Sequence, residues 1–275
     1  FYKIFPSWLY YKIAFLIKEK RLIKANKNLF NKSISNSIFK TLKGLSKKLL
    51  VLDLDDTLWH PAPVIQNAQA KIKQHLLDQC PRFNPETLDE EFRESLVLVR
   101  KNNQEILHNL TELRKLSFEV LLENYGYDPK LSDDLIEKFL HFRHEVRIYP
   151  DVEGCLKFLN GKFRLAALTN GNANVMRLEI GKYFDVHISA EQVDVQKPDR
   201  KIFDHVSNTL NIPHQHILHV GDNPIDDVQG ALDAGFQAVW INRSSMEWPL
   251  DFQGHPEIRD LSQLPELFHD TPDQW

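Results

Sequence analysis

The chain has 275 residues, enough for one large domain or two modest ones, and 42% of them are hydrophobic amid mixed charge, the composition of a folded globular protein. A formal net charge of −4 supplies no overall attraction to nucleic acid. The pair Cys80 and Cys155 is too sparse for a disulfide framework or a cysteine-built zinc site and suits a reducing compartment, so a cytoplasmic location is expected.

Charge is unevenly spread. Residues Phe1–Lys48 are rich in Lys, Ile, Asn and Phe, and Glu19 is their only acid. Their longest apolar run, Trp8 to Ile17, is broken by Lys12 and is too short to span a bilayer. A basic membrane-surface helix and an organellar targeting segment are alternatives, but a dispensable or disordered extension is the favoured reading. No Met precedes Met176, and Lys, Asn, Ile, Phe and Tyr share AT-rich codons. Part of the segment is therefore hypothesised to be upstream sequence from an over-extended reading frame. Peptides from Phe1–Lys40 in native material would refute that.

Leu49–Leu54 reads as a buried strand that ends in Asp53, Asp55, Asp56 and Thr57. Carboxylates at the end of a buried strand are costly unless something compensates them, and a divalent cation does so most simply. From Val64 to Val146 the periodicity is helical, as in Phe92, Leu96, Val99 and in Leu113, Leu116, Val120. Pro81, Pro85, Gly126 and Pro129 mark breaks. Ser132, followed by Asp133 and Asp134, reads as a helix cap.

Beyond Tyr149, strands and helices alternate. Phe163–Leu168, Asp185–Ser189, Ile217–Val220 and Gln237–Ile241 read as strands; Arg200–Leu210 and Asp226–Ala234 read as helices, the latter ending at Gly235. The pattern predicts an α/β fold, a Rossmann-like three-layer core with a mostly parallel sheet, plus an inserted all-helical block. The expected boundaries are 1–48 for the extension, 49–62 and 148–270 for the core, and 63–147 for the insert.

Loops at the carboxyl ends of predicted parallel strands are where such sheets bind ligands. Here those loops carry Asp53 and Asp55, then Thr169-Asn170-Gly171, then Gly221-Asp222 with Asp226-Asp227. Lys197-Pro198 opens a helix. Together they offer carboxylates, a hydroxyl, an amide and one ammonium, the inventory for phosphoryl transfer. Each motif alone has a plainer reading: a turn for Thr-Asn-Gly, a solvated helix start for Lys197, a cap for Asp222. All of them in this order are hard to explain that way.

The order Asp-x-Asp-x-Thr, Thr-Asn-Gly, Lys-Pro and Gly-Asp-x-x-x-x-Asp resembles the haloacid dehalogenase superfamily of phosphatases. The helical block resembles that family's C1-type cap. Leu168–Ala173 and His219–Asp222 look closest to the bacterial branch acting on FMN and on 5-amino-6-(5-phospho-D-ribitylamino)uracil, a riboflavin precursor. The resemblance implies Asp53 as nucleophile and Asp55 as general acid and base, with its pKa raised relative to Asp53. It implies Thr169, Asn170 and Lys197 as phosphate-binding residues. It further implies Mg²⁺ held by Asp53, the Asp55 backbone carbonyl and Asp222, with Asp227, rather than its neighbour Asp226, reaching the ion through its ligands or through a water. Many relatives have Gly shortly before the Lys; here the run is Gln192–Gln196, so that loop is expected to take its own path.

The remaining signals are weaker. Asp56 is read as structural. His216 and His219 differ in strand parity, which argues against a zinc site with His214. His141 and His144 are read as surface or interdomain residues, and Trp59 and His60 as lining either the cap hinge or plain packing. The cap cations Lys71, Lys73, Arg100, Lys101, Arg114, Arg143 and Arg147 are read mostly as a solvated face, with one or two reaching the substrate's non-phosphate end. The partner is expected to be a small phosphorylated metabolite, with no nucleic acid and no membrane span. Rival readings are a phosphatase for another small phosphometabolite and a non-catalytic phospholigand sensor. A dehalogenase is disfavoured because Asp55 would then be superfluous.

Overall fold

The computed structural model describes residues 49–251 and 255–268. The readings placed on residues 1–48 fall outside it. Six parallel strands form the sheet: β1 (Leu49–Leu52), β2 (Arg164–Thr169), β3 (Val186–Ser189), β4 (Ile217–Gly221), β5 (Gln237–Ile241) and β6 (Glu257–Ile258), in the order β3-β2-β1-β4-β5-β6.

β1 shows why the sheet is covered on both faces. Its residues alternate between two cores, Leu50 and Leu52 entering one, Leu49 and Val51 the other. A strand buried on both faces reads as an unbroken apolar run, which Leu49–Leu52 is. Truncating one of these leucines to Ala should cost about 2–5 kcal/mol. Between β1 and β2 the chain forms α1 (Pro61–Gln79), α2 (Leu88–Asn102), α3 (Leu110–Asn124), α4 (Leu131–Arg143) and α5 (Val152–Leu159). Helix α5 and the Leu261–Phe268 segment cover the first face. The second face is covered by α7 (Arg200–Leu210) and α8 (Gly230–Asp233), while α6 (Ala190–Val193) is a single turn after β3.

α1 to α4 have their own core. Ala68, Ile72 and Leu76 recur every four residues along α1 and meet Phe92, Phe118, Leu122, Leu135 and Phe139. Phe118 packs edge-to-face on Phe92 and Phe139, with ring centroids 5.9 and 6.4 Å away. The helix starts follow local chemistry. Pro61 occupies the first turn of α1, and the Asn109 side chain accepts from the Glu112 N–H to cap α3. The chain passes into this insert at Trp59 and out of it at Ile148, and those residues pair as a β-bridge. Tyr149 N–H to Leu58 O, 2.9 Å, closes the crossing.

Some sequence readings change. β1 stops at Leu52, because Asp53 onward turns into the site. Ser132 does not cap α4: it lies inside the first turn, buried, with Oγ 3.2 Å from Glu119 Oε1. The two-residue β6 was not anticipated, being too short to show periodicity. The helix read over Asp226–Ala234 starts earlier, as a π-helical Pro224–Gln229 that becomes α-helical only as α8, and Gly235, at φ +90°, follows it as expected in a conformation that favours glycine. Among the described residues, no helix is long and apolar enough to cross a membrane.

Candidate active site

The strand order turns at β1. The chain runs outward through β2 and β3, then returns to place β4 on the other side of β1. The carboxyl ends of β1, β2 and β4 therefore surround one crevice, where this topology places ligands. Asp53 leaves β1 here, its N–H still bonded to Val220 O at 2.9 Å.

Lys197 is the charge at the centre. It is 2% exposed and uses all three ammonium hydrogens: on Asp53 Oδ1 at 2.7 Å, Asp227 Oδ1 at 2.6 Å and Leu168 O at 3.0 Å. Burial alone would lower its pKa, but the carboxylates of Asp227 and Asp53 outweigh burial and hold it above the usual lysine range. Asp227 is saturated too. Its Oδ1 also meets His219 Nε2 at 2.9 Å, and its Oδ2 accepts from Asn223 N–H at 2.9 Å. Burial pushes Asp227 upward, yet Lys197 and His219 prevail and keep it well below the usual carboxylate range.

The other acids behave oppositely. Burial pushes Asp53 up to about 7, with Lys197 opposing and Asp227 and Asp55 reinforcing the rise. Burial, Asp53, Asp227 and Asp56 push Asp222 up to about 9. One carboxylate oxygen from each of Asp53, Asp222 and Asp227 lies within 4.8 Å of the others. Such crowding of acids beside a single lysine leaves negative charge in excess. An all-oxygen donor set of this kind suits Mg²⁺. With Asp227 committed to Lys197, His219 and Asn223, Asp53 and Asp222 are the carboxylates that would be left to hold such an ion. Asp226, next to Asp227, is only half-buried, and burial raises its carboxyl to about 6.

Asp55 has a different environment. Its Oδ1 accepts from Trp59 Nε1 at 2.8 Å, and both its oxygens accept from Arg143 Nη2, at 2.6 and 2.7 Å. Trp59 is thus both packed and a hydrogen-bond donor at the crossing into the insert, whereas His60 is exposed and reaches Asp56. Asp56 takes φ 59°, a left-handed turn that short acids tolerate, and its N–H bonds Trp59 O at 2.7 Å.

The Thr169 hydroxyl accepts from Gly171 N–H at 2.8 Å, which leaves its own proton free to donate. A Cβ on Gly171 would meet Asp55 Oδ2 at 2.5 Å, and one on Gly221 would meet Asp227 Cγ at 2.2 Å. Both glycines are required by close approach.

The Asn170 side chain is engaged with the lysine's own peptide: Oδ1 accepts from Lys197 N–H at 2.8 Å and Nδ2 donates to Lys197 O at 3.0 Å. Asn170 thus clamps the backbone that carries Lys197. Arg143 is one of the cap cations that leave the solvated face. It is 1% exposed and reaches the site, whereas Lys71 and Lys73 do make surface pairs, with Glu145 and Asp89. Sequence reading also missed His219 as a partner of Asp227. Its strand parity was the available signal, since it shares the Val51 face of the sheet with α7 and packs on Phe203 at 5.8 Å. His144 proves interdomain: its Nε2 accepts from Asn174 N–H at 2.9 Å.

Comparison with known proteins identifies the family. The family model for haloacid dehalogenase-like hydrolases matches residues 47–235. The chain is 30% identical over 226 residues to the 5-amino-6-(5-phospho-D-ribitylamino)uracil phosphatase YigB of Escherichia coli, covering 79% of this chain and 94% of that protein. It is 29% identical over 249 residues to the phosphoserine phosphatase of Thermus thermophilus, covering 80% and 98%. The crystal structure of a 2-haloacid dehalogenase from Pseudomonas syringae superposes with a TM-score of 0.74 at 37% identity, over 80% of this chain and 97% of that one. By that family match and these relatives, the chain belongs to the haloacid dehalogenase-like hydrolases.

Proposed function

We propose that the protein is a Mg²⁺-dependent phosphomonoester hydrolase acting through an aspartyl-phosphate on Asp53. The observation that carries this reading is the gathering of Asp53, Asp222 and Asp227 around Lys197 at the mouth of β1. Asp53 attacks phosphorus and the ester P–O bond breaks. The departing alkoxide takes a proton from Asp55. Asp55 then removes a proton from the water that cleaves the phosphoenzyme, releasing inorganic phosphate. Lys197 neutralises charge on Asp53 and on the incoming phosphoryl group, and Thr169 donates its hydroxyl proton to a phosphoryl oxygen. Asn170 binds the phosphoryl group beside Thr169, and its side chain also fixes the Lys197 backbone. Mg²⁺, held by Asp53 and Asp222 with the Asp55 carbonyl, would offset the remaining negative charge and polarise the phosphoryl oxygens.

We read residues 63–147 as a C1-type cap that closes over substrate and excludes water. The favoured substrates are FMN or 5-amino-6-(5-phospho-D-ribitylamino)uracil, and the likeness to YigB supports the second. Reduced, buried Cys80 and Cys155 fit a cytoplasmic location.

The test is turnover of p-nitrophenyl phosphate with Mg²⁺, with EDTA, and by Asp53→Asn. Turnover should require the metal, and Asp53→Asn should abolish it while leaving the thermal transition cooperative. Metal-independent turnover would overturn the reading. A panel that includes FMN and the ribitylamino-uracil phosphate, ranked by kcat/KM, then tests the substrate. A second reading, dehalogenation, is favoured by the 37% identity to the Pseudomonas enzyme. Displacement at carbon would use Asp53 but leaves Asp222 and the proton-handling Asp55 without work. Halide release from 2-chloropropionate would support it.

A further inference from the structure

The cap carries a cationic site next to Asp55 that surrounding residues do not complete. Phe139 and Arg143 are four residues apart on α4 and share a face. Arg143 spends Nη2 on Asp55, while its Nε and Nη1 are buried without a partner. Over the Phe139 ring lies the Arg114 guanidinium, 4.6 Å from the centroid. Among the described residues no carboxylate pairs with Arg114, and the charge felt beside it is that of Arg100, of like sign. Four cap lysines are matched, Lys71 with Glu145, Lys73 with Asp89, Lys115 with Asp133 and Lys138 with Asp134, whereas Arg114, also half-buried, is not.

The backbone fixes where this face points. One turn before Arg114 on α3, Thr111 N–H donates to Glu191 Oε1 at 2.8 Å. Glu191 lies in α6, two residues beyond the end of β3 and so at the carboxyl edge of the sheet. The Arg114 side of α3 and the Arg143 side of α4 therefore both meet the core at the edge that holds Asp53. Guanidinium groups only donate. Arg143 has Asp55 for an anion but keeps two buried donors unused, and Arg114 has no carboxylate, so the pair costs stability and a ligand that supplies acceptors removes that cost.

We propose that Arg114 and Arg143 read the leaving group of the substrate, and that this group presents acceptor oxygens to them, as a carboxylate or as the carbonyls of a ring dione. The assignment rests on the phosphatase reading for its reaction but not for its binding. The experiment compares kcat/KM for 2-phosphoglycolate, FMN and ethyl phosphate, the last having no such oxygens, in the wild type, Arg114→Met and Arg114→Lys. It also measures calorimetric binding of phosphonoacetate, ethylphosphonate and riboflavin with Mg²⁺ present.

The wild type should prefer 2-phosphoglycolate or FMN over ethyl phosphate by about tenfold or more, as charge-assisted hydrogen bonds allow. The preference should collapse in Arg114→Met, chiefly through KM, and be partly kept in Arg114→Lys, which retains the charge. Whichever ester wins identifies carboxylate or dione as the source. An equal loss on all esters, or a preference unchanged in Arg114→Met, would overturn the assignment. If no phosphate ester turns over but phosphonoacetate or riboflavin binds and weakens about tenfold in Arg114→Met, the recognition site stands and the phosphatase reading fails.

Discussion

At the scale of single residues the site is a balance of charges about Lys197, whose ammonium neutralises Asp53 and Asp227 together. Replacing it by Met leaves both acids buried without a counter-charge. Lys197→Met should cost about 3–5 kcal/mol in urea unfolding and abolish turnover; a loss within experimental error would show that other groups hold the acids. Asp222 provides a test with a defined pH sign. Its carboxyl rises from 3.8 to about 9 on folding, so the folded protein favours the proton. Between those values the unfolded chain gives the proton up more readily, and stability falls as pH rises through the window. Without metal, Asp222→Asn should therefore raise Tm at pH 7–8, by roughly 2–4 °C for each kcal/mol of that cost, with the gain fading below pH ~4. Mg²⁺ should raise Tm in the wild type and much less in the variant. A variant no more stable than wild type at pH 8 would contradict the charge crowding.

At the scale of elements, the motifs are places where loops approach too closely for a side chain. Gly221 ends β4 against Asp227. Gly221→Ala should destabilise by about 1–3 kcal/mol, as overpacking does, and displace Asp227 from Lys197. Calorimetry and turnover together check this, and unchanged turnover would separate the glycine from the site. The segment after β4 starts with Asn223, whose Oδ1 accepts from the N–H groups of Ile225 and Asp226 at 2.9 and 3.0 Å. That cap fixes the turn which aims Asp227 inward and leaves Asp226 half-buried. A tandem of acids could not show which faces in, because only the helix phase separates them.

At the scale of the molecule, one buckle joins both sides of the insert to the end of the sheet. Arg243 donates to Thr57 O at 2.8 Å and to Asp151 Oδ2 at 2.7 Å, and that oxygen also accepts from Leu261 N–H at 2.7 Å. Burial raises the Asp151 pKa, but Arg243 and Leu261 N–H outweigh it and hold the carboxyl low. A depressed acid stabilises above its unfolded pKa and loses that contribution as pH falls. Arg243→Ala should cost about 1.5–3 kcal/mol at pH 7, and the gap to wild type should narrow below pH ~4. A gap constant between pH 7 and 3 would assign the loss to packing of Arg243 on the Tyr149 ring, 4.1 Å away, instead of to charge.

The sequence by itself determined the parallel sheet, the helical insert and most of the acids at the strand ends. Each rests on short-range facts: an apolar run long enough for two faces, a helical repeat, a glycine beside a carboxylate. Arg200–Leu210 could be bounded to the residue because Asp199 caps it locally, accepting from Lys201 N–H at 2.9 Å. Only the tertiary structure decided which polar groups meet. Asn170 turns to the Lys197 backbone across 27 residues and Arg143 reaches Asp55 across 88. His219 meets Asp227 because a strand face and a following turn converge. Such contacts depend on helix phase and crossing geometry, and a linear pattern of residue types carries neither.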